Sequence, residues 1–147
     1  MDVVTITQAR ERVGLRLVTR AGVPTPWAQA AKGLIELKGL PCVLAQESKE
    51  ERGAHFEWLG DMGSPFVAYN DEPVRSGWAQ ILELVERLAP APHLIPQEGA
   101  TRALMYGLAN ELCGEMGLGW SLRLRMIDAS LSEPDAAGAF PELSLIH

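Results

Sequence analysis

The regular part of the chain begins with a strand pattern that changes to a helix pattern. Residues 15–19 alternate apolar and polar side chains, which is typical of a strand with one buried face. Thr25-Pro26 then resembles a helix start, with a capping hydroxyl followed by proline. The apolar residues that follow lie at helical spacing: Trp27, Ala30, Ala31, Leu34 and Ile35. The short apolar run 42–45 predicts a second strand, and this strand–helix–strand order predicts a parallel pair.

The next segment predicts a helix, a hairpin and a further helix. Residues 46–63 are polar first and then apolar, which fits a loosely held helix. Pro65 opens a strand at 66–69, and a turn leads from it into an extended segment at 72–74, so we expect a hairpin. Ser76 is a natural N-cap for the helix after it. The apolar stripe of that helix contains Trp78, Ile81, Leu82, Val85 and Leu88.

The distribution of proline predicts where the chain divides. Three prolines between positions 90 and 96 mark residues 90–100 as a linker. Before it we expect one domain over 15–89, preceded by a leader at 1–14 that packs on it. After it, residues 101–131 predict a helical part with apolar faces, and 132–147 predict an irregular tail.

Composition and charge exclude several classes of partner. The chain has 147 residues, 47% of them apolar and 22% charged, which is typical of a globular protein with a core. Its net charge of -6 has the wrong sign for nucleic acid or anionic lipid, so we expect neither partner. The sequence shows no membrane-spanning run and no targeting signal, so we expect a cytoplasmic protein.

Cysteine and histidine give no pattern of a metal site. Cys42 and Cys113 are far apart and form no CxxC motif, and the three histidines are scattered. We therefore expect no metal and no disulfide framework, and we interpret both thiols as core residues.

Four short motifs, taken in order, resemble the glutathione transferase superfamily. They are Thr25-Pro26-Trp27-Ala28-Gln29, Lys38-Gly39-Leu40-Pro41, Ser64-Pro65 and Val74-Arg75-Ser76. The resemblance covers about residues 15–89, and residues 101–127 are similar to the beginning of the family's helical domain. It implies an α/β fold: a thioredoxin-like βαβ-α-ββα domain followed by a short, incomplete all-helical C-terminal part.

The resemblance assigns glutathione recognition first to Ser64 and Pro65. In the family, the main chain of the residue before this proline pairs with the cysteinyl main chain of glutathione, as in strand addition. We expect the Ser64-Pro65 bond to be cis, since this form is accessible to X-Pro bonds. The alternative is that Pro65 merely begins a strand.

The resemblance also implies that Ser76 and its N–H hold the γ-glutamyl carboxylate at the start of a helix. Arg75 stands where the family usually has an acidic residue, and it could clamp a carboxylate but could not receive an ammonium group. The alternative is that Ser76 is an ordinary N-cap.

Thr25 occupies the position of the family's catalytic serine or cysteine. Its hydroxyl could donate a hydrogen bond to a bound thiolate at the start of a helix. The alternative is that Thr25 only caps the helix. Neither Thr25 nor Ala28 can form a mixed disulfide, which argues against a disulfide oxidoreductase.

Four further residues are candidates to contact the ligand. Trp27 and Trp58 are candidates to flank the ligand, and His55 and Lys38 are candidates to reach its glycyl carboxylate.

These expectations lead to two functional hypotheses. The first is a glutathione transferase-like homodimer that binds glutathione as co-substrate and conjugates it to a small electrophilic substrate. The second is a non-catalytic thioredoxin-fold module for binding or protein interaction, since fold alone does not decide function. The short helical part predicts an incomplete acceptor pocket and exposed apolar surface.

Overall fold

The computed structural model describes residues 1–21, 25–60 and 64–132, with only the backbone of 130–132. They form four strands and six helices, in two compact units, Met1–Gly99 and a second that begins at Ala100. The elements, in chain order, are β1 (Asp2–Val4), α1 (Ile6–Glu11), β2 (Leu15–Arg20), α2 (Pro26–Leu37), β3 (Cys42–Glu47), α3 (Arg52–Leu59), β4 (Phe66–Tyr69), α4 (Trp78–Leu88), α5 (Gly99–Cys113) and α6 (Leu118–Ser132).

A single mixed sheet with the strand order β1-β3-β2-β4 forms the centre of the first unit. β1 and β2 both run parallel to β3, whereas β4 runs antiparallel to β2. Leu17 of β2 lies between Leu44 and Val67 in the register. The predicted parallel pair is therefore confirmed.

The second strand of the expected hairpin is reduced to one residue pair. Val67 and Arg75 exchange both main-chain hydrogen bonds, at 2.8 and 2.9 Å, and the described residues add no further pair there. Continuing this register would place Pro73 opposite Tyr69. Because proline has no N–H, the ladder cannot extend through that position.

Helices cover both faces of the sheet, and each face has its own core. Side chains of β2 alternate between the faces, so Leu15 and Leu17 pack on one side and Val18 on the other. The core on the side of α2 and α4 contains Leu15, Leu17, Ala31, Ile35, Val67, Ile81, Leu84 and Val85. The core on the side of α1 and α3 contains Ile6, Ala9, Val18, Ala45, Leu59 and Phe66. This architecture confirms the predicted α/β class.

The first residues of the chain extend the sheet. The sequence pattern predicted only a leader there, because β1 has three residues and shows no readable alternation. The Thr5 hydroxyl accepts from the Gln8 N–H, and the Gln8 side chain accepts from the Thr5 N–H, both at 3.1 Å, which forms a capping box for α1. The Ile6 N–H donates to Glu51 Oε1 at 2.8 Å, so α1 is also tied to the start of α3.

The second unit contains two helices with exposed apolar stripes. Helix α5 ends at Cys113, and α6 begins at Leu118; between them Met116 has a φ of 63°, outside the helical range. The exposed stripes consist of Leu104, Leu108 and Leu112 on α5, and Leu118, Leu122 and Met126 on α6. The predicted irregular tail lies, from residue 133 onward, outside the described residues.

A buried lysine fixes the end of α2 to the chain that follows α4. Lys38 Nζ lies 2.5 Å from Glu86 Oε2 and donates to the carbonyl oxygens of Ala89 and Pro92 at 2.7 and 2.6 Å. Lys38 follows the last residue of α2, about 18 Å from the helix start at 1.5 Å per residue. The expectation that Lys38 reaches a ligand at the start of α2 is therefore wrong.

We predict that Lys38→Met destabilises the protein by about 3 kcal/mol, because it leaves a carboxylate and two carbonyl oxygens without their buried partner. Urea unfolding followed by circular dichroism measures this change. Arg10→Met, which removes an exposed ion pair to Glu57, is the control and should cost less than about 1 kcal/mol. Equal losses of unfolding free energy in the two variants would show that the buried ion pair of Lys38 stabilises the fold no more than an exposed one does.

The same contact predicts a pH dependence. Burial raises the pKa of Glu86, but hydrogen bonds from Lys38, the Leu94 N–H and His93 outweigh it and hold that pKa below its usual value. A lowered pKa stabilises the fold above the carboxyl group's ordinary range, and this contribution is lost as the pH falls through the folded-state pKa. Glu86→Gln should therefore lose stability less steeply than the wild type on acidification below about pH 4.5. Parallel slopes in urea titrations would contradict the assignment.

Candidate functional site

The strand directions bring two separate parts of the chain to one edge of the sheet. The parallel strands end at this edge, and the antiparallel β4 begins there, with Val18 opposite Phe66 as the last pair of the ladder. Thr25 follows β2, and Ser64 precedes β4. Two of the predicted site residues therefore lie at the same edge, although they are far apart in sequence.

Thr25 caps α2 and is buried. Its backbone is extended, with φ of -119° and ψ of 145°, and its Oγ1 accepts from the Ala28 N–H at 3.1 Å. Pro26 occupies the first helical position, where the missing N–H removes no helix hydrogen bond. The predicted cap is confirmed. A hydroxyl that accepts one hydrogen bond keeps its own O–H as a donor, so capping and ligand binding are compatible.

Ser64 and Pro65 lie directly before β4. The bond between them is cis, as expected, and Pro65 is buried. Ser64 lies beyond the last ladder pair, Val18 and Phe66, so the ladder does not use its peptide groups. Its main chain stands at the edge where α2 begins.

Arg75 and Ser76 approach the same edge from the other side of β4. The main chain of Arg75 pairs with Val67, and the antiparallel direction of this bridge carries Ser76 alongside Phe66. Ser76 and Ser64 therefore both lie toward the edge where β2 and β3 end and β4 begins. The predicted neighbourhood of these two serines agrees with the backbone course.

The prediction that Ser76 caps α4 is wrong by one residue. Gly77 is the N-cap, with φ of -77° and ψ of 142°, and the helix begins at Trp78. The Gln80 side chain accepts from the Gly77 N–H at 3.4 Å. Glycine offers no side-chain cap, so the pattern favoured the serine before it as the N-cap.

The Arg75 guanidinium is engaged in an ion pair. It lies 2.7 Å from Glu72 Oε2 and also donates to the Pro73 carbonyl oxygen at 3.0 Å. Arg87 lies at 2.7 Å from the same carboxylate. Hydrogen bonds from Arg87 and Arg75 hold the pKa of Glu72 below its usual value. A role of Arg75 toward a ligand carboxylate stays a prediction.

The two tryptophans proposed to flank the ligand have different surroundings. Trp27 is half-buried in the first turn of α2, beside the Thr25 cap. Trp58 packs against the core on the side of α1 and α3, and Arg16 Cζ lies 5.7 Å from its ring centroid. Trp27 therefore remains a candidate at the edge, whereas Trp58 is part of the core.

A cluster of charged groups around a buried carboxylate at this edge was not predicted from the sequence. It consists of Arg20, Glu47, Arg52 and His55, and we refer to it as the Glu47 cluster. Glu47 Oε2 lies 3.7 Å from Arg20 Nε and 3.4 Å from His55 Nδ1, and Oε1 lies 3.7 Å from Arg52 Nε. Among the glycyl-carboxylate candidates, His55 is thus buried beside a carboxylate of the protein itself. The sequence could have indicated the Glu47 cluster, because Arg20 and Glu47 stand at the ends of the two strands that were predicted to pair.

Cys42 does not supply a reactive thiolate. Burial raises its pKa to about 11, and its Sγ lies 3.3 Å from the Val43 carbonyl oxygen. The side chain packs against the core between the sheet, α2 and α4, in agreement with the sequence interpretation.

A search for metal sites over the described part of the chain finds no group of three or more His, Cys, Asp or Glu residues suited to a metal ion. Over the same residues, no helix is both long and apolar enough to cross a membrane.

Comparison with solved structures identifies similar architectures. A glutathione transferase homologue from Sulfitobacter with bound glutathione superposes with a TM-score of 0.59 and 19% identity, over 71% of this chain and 51% of that one. A homologue from Burkholderia with bound glutathione gives 0.56 and 21%, over 81% and 67%. The glutathione S-transferase of Ascaris lumbricoides gives 0.61 and 16%, over 88% and 59%. The matched part of this chain has the glutathione transferase fold.

The likeness to these transferases is one of fold and covers part of their length. The chain spans between about half and two thirds of the glutathione transferase structures named above. No protein-family model and no curated protein sequence matches it. The solved structures named above confirm the fold that the four motifs implied.

The raised pKa of Cys42 predicts slow alkylation. At pH 8 a thiol with a pKa of about 11 is ionised to about one part in a thousand, against about a quarter for an ordinary thiol. Iodoacetamide should therefore modify Cys42 at least about tenfold more slowly in the native chain than in the urea-unfolded chain. Peptide mass spectrometry measures both rates, and equal rates would contradict the burial of this thiol.

Proposed function

We propose that this chain is a member of the glutathione transferase superfamily and binds glutathione at the sheet edge formed by Thr25, Ser64 and Ser76. The observation that supports the proposal is the register of β4 against β2, from which the start of α2 and the main chain before β4 belong to the same edge of the sheet. A helix start favours an anionic ligand, even in a chain of net charge -6.

In this proposal the main chain of Ser64 pairs with the cysteinyl main chain of glutathione. The ladder leaves the Ser64 peptide groups unused, which supports this role. Ser76 and Arg75 bind the γ-glutamyl end, and Trp27 packs beside the ligand. To bind a ligand carboxylate, Arg75 has to share its guanidinium with Glu72 or leave it.

In this proposal the Thr25 hydroxyl stabilises the thiolate of bound glutathione. A free thiol has a pKa of about 8.5, so ionising it at neutral pH needs a shift of one to two units, or about 1.4 to 2.7 kcal/mol. A hydrogen bond from the Thr25 O–H and the positive end of α2 both stabilise the thiolate. The thiol loses its proton to solvent, and the thiolate then attacks the electrophilic carbon of a small substrate: a C–S bond forms as the bond to the leaving group breaks, so an aryl chloride releases chloride, without a covalent enzyme intermediate. We place this reaction in the cytoplasm, where free cysteines such as Cys42 stay reduced, and in a homodimer.

The second candidate is a glutathione-binding module without turnover. One observation favours it: the Arg75 guanidinium is already paired with Glu72. The two candidates share the binding site and differ in chemistry.

We predict that Thr25→Val lowers turnover of an activated aryl chloride by about ten- to a hundredfold, since a hydrogen bond to a charged sulfur is lost. The dissociation constant for glutathione, measured by titration calorimetry, should change by less than about threefold, because the main-chain contacts remain. Thr25→Ser, which keeps the hydroxyl, is the matched control and should retain activity.

Both variants must be compared well below their melting temperatures, because losing the Thr25 cap costs about 0.5 to 2 kcal/mol. Equal turnover by Thr25→Val and the wild type would refute the role of the hydroxyl. Binding without turnover in the wild type would favour the second candidate. A wild-type chain that does not bind glutathione would refute both.

A further inference from the structure

The Glu47 carboxylate is the centre of the buried charge cluster. Glu47 ends β3, and only 4% of its side chain is exposed. Groups from two other elements surround it: Arg20 from β2, and Arg52 and His55 from α3. The two arginine side chains are partly exposed, so they connect this buried carboxylate to the surface.

The polar atoms of the cluster are close but poorly satisfied. Arg20 Nε, Glu47 Oε2 and His55 Nδ1 are buried and make no hydrogen bond with the described residues. Buried polar groups are nearly always hydrogen-bonded, so such an arrangement is costly for the fold. Local arrangements that lower stability are expected mainly at functional sites.

The cluster joins the two elements that lead to Thr25 and Ser64. Arg20 lies directly opposite Glu47 in the ladder, and the next residue, Ala21, donates its N–H to the Glu47 carbonyl oxygen at 2.9 Å. From Ala21 the chain continues to Thr25. His55 approaches the carboxylate from α3, and from that helix the chain continues to Ser64.

Charge makes the carboxylate the component that holds the others together. Glu47 faces Arg20, Arg52 and His55 at once, so removing its negative charge removes the attraction that draws these three side chains to one point. The partly exposed arginines would then move toward solvent. Arg20, at the end of the strand that leads to Thr25, would lose its side-chain link to β3, and His55 of α3 would lose its contact with Glu47.

We propose that Glu47 is a positioning residue for the glutathione site: it holds Arg20 and α3 so that Thr25 and Ser64 face one ligand, without touching that ligand itself. This inference rests on the proposed function. It assigns a role to a buried carboxylate that the binding contacts do not use.

The test compares Glu47→Gln, which keeps the side-chain shape and removes the charge, with the wild-type chain. Glutathione should bind about tenfold more weakly, a usual size for coupling between neighbouring sites, in titration calorimetry at a temperature where both chains are folded. Glu57→Gln is the matched control, because it removes a carboxylate of α3 that pairs with Arg10 at the surface, and it should bind as the wild type does. Glu47→Asp, which restores the charge, should recover most of the affinity.

The outcomes separate this inference from the proposed function. If the wild type binds and Glu47→Gln binds equally well, the positioning role is overturned while the proposed function stands. If Glu47→Asp binds as weakly as Glu47→Gln, side-chain shape and not charge matters, and the role is again overturned. If the wild type does not bind glutathione, both are overturned.

A second variant covers the case in which Glu47→Gln fails to fold. Arg20→Gln removes the partner on β2 but leaves Glu47 with Arg52 and His55. It should weaken glutathione binding about as strongly, because the same link to the chain before Thr25 is lost. Hydrogen exchange at the Ala21 amide should also quicken. Unchanged affinity in folded Arg20→Gln overturns the proposal.

Discussion

The pairing of Val18 with Phe66 determines where the candidate site can form. Because β4 runs against the parallel strands, its first residue lies beside the ends of the others, and Ser64 lies at the same edge of the sheet as the start of α2. A slip of one residue would turn the fully buried Phe66 to the opposite face of the sheet. Each face has its own hydrophobic core, so the register is strongly specified on both sides. The position of the candidate edge is therefore a consequence of core packing.

The sequence predicted the elements that are long and periodic. Helix α2, its Thr25 cap and the parallel pair β2 and β3 follow from local signals that tertiary contacts do not override. Three features were predicted incompletely or wrongly: β1 is too short to show alternation, Pro73 interrupts the expected hairpin, and Gly77 caps α4 without a side chain. The first and third depend on main-chain hydrogen bonds that residue type alone does not reveal, whereas the effect of Pro73 follows from its missing N–H once the register of the Val67–Arg75 pair is known.

Two buried charged groups show what a local pattern cannot predict. Lys38 and Glu47 both depend on contacts between residues far apart in the chain, yet their environments differ. The ammonium of Lys38 is matched by three oxygen atoms, so it stabilises the fold away from the site. Among the described residues, three nitrogen atoms lie 3.4 to 3.7 Å from the carboxylate of Glu47, and its Oε2 makes no hydrogen bond. Only the second group lies at the edge where glutathione is proposed to bind.

A titration of the isotope-labelled chain with reduced glutathione, followed by NMR, tests the shared binding edge most directly. The account predicts that the amide signals of Ser64, Ser76 and Ala28 shift together along one saturating curve, because all three lie around one ligand. Signals from the far end of α2, near Lys38, should stay in place. Absence of shifts at the three edge amides, or shifts confined to α5 and α6, would contradict the account.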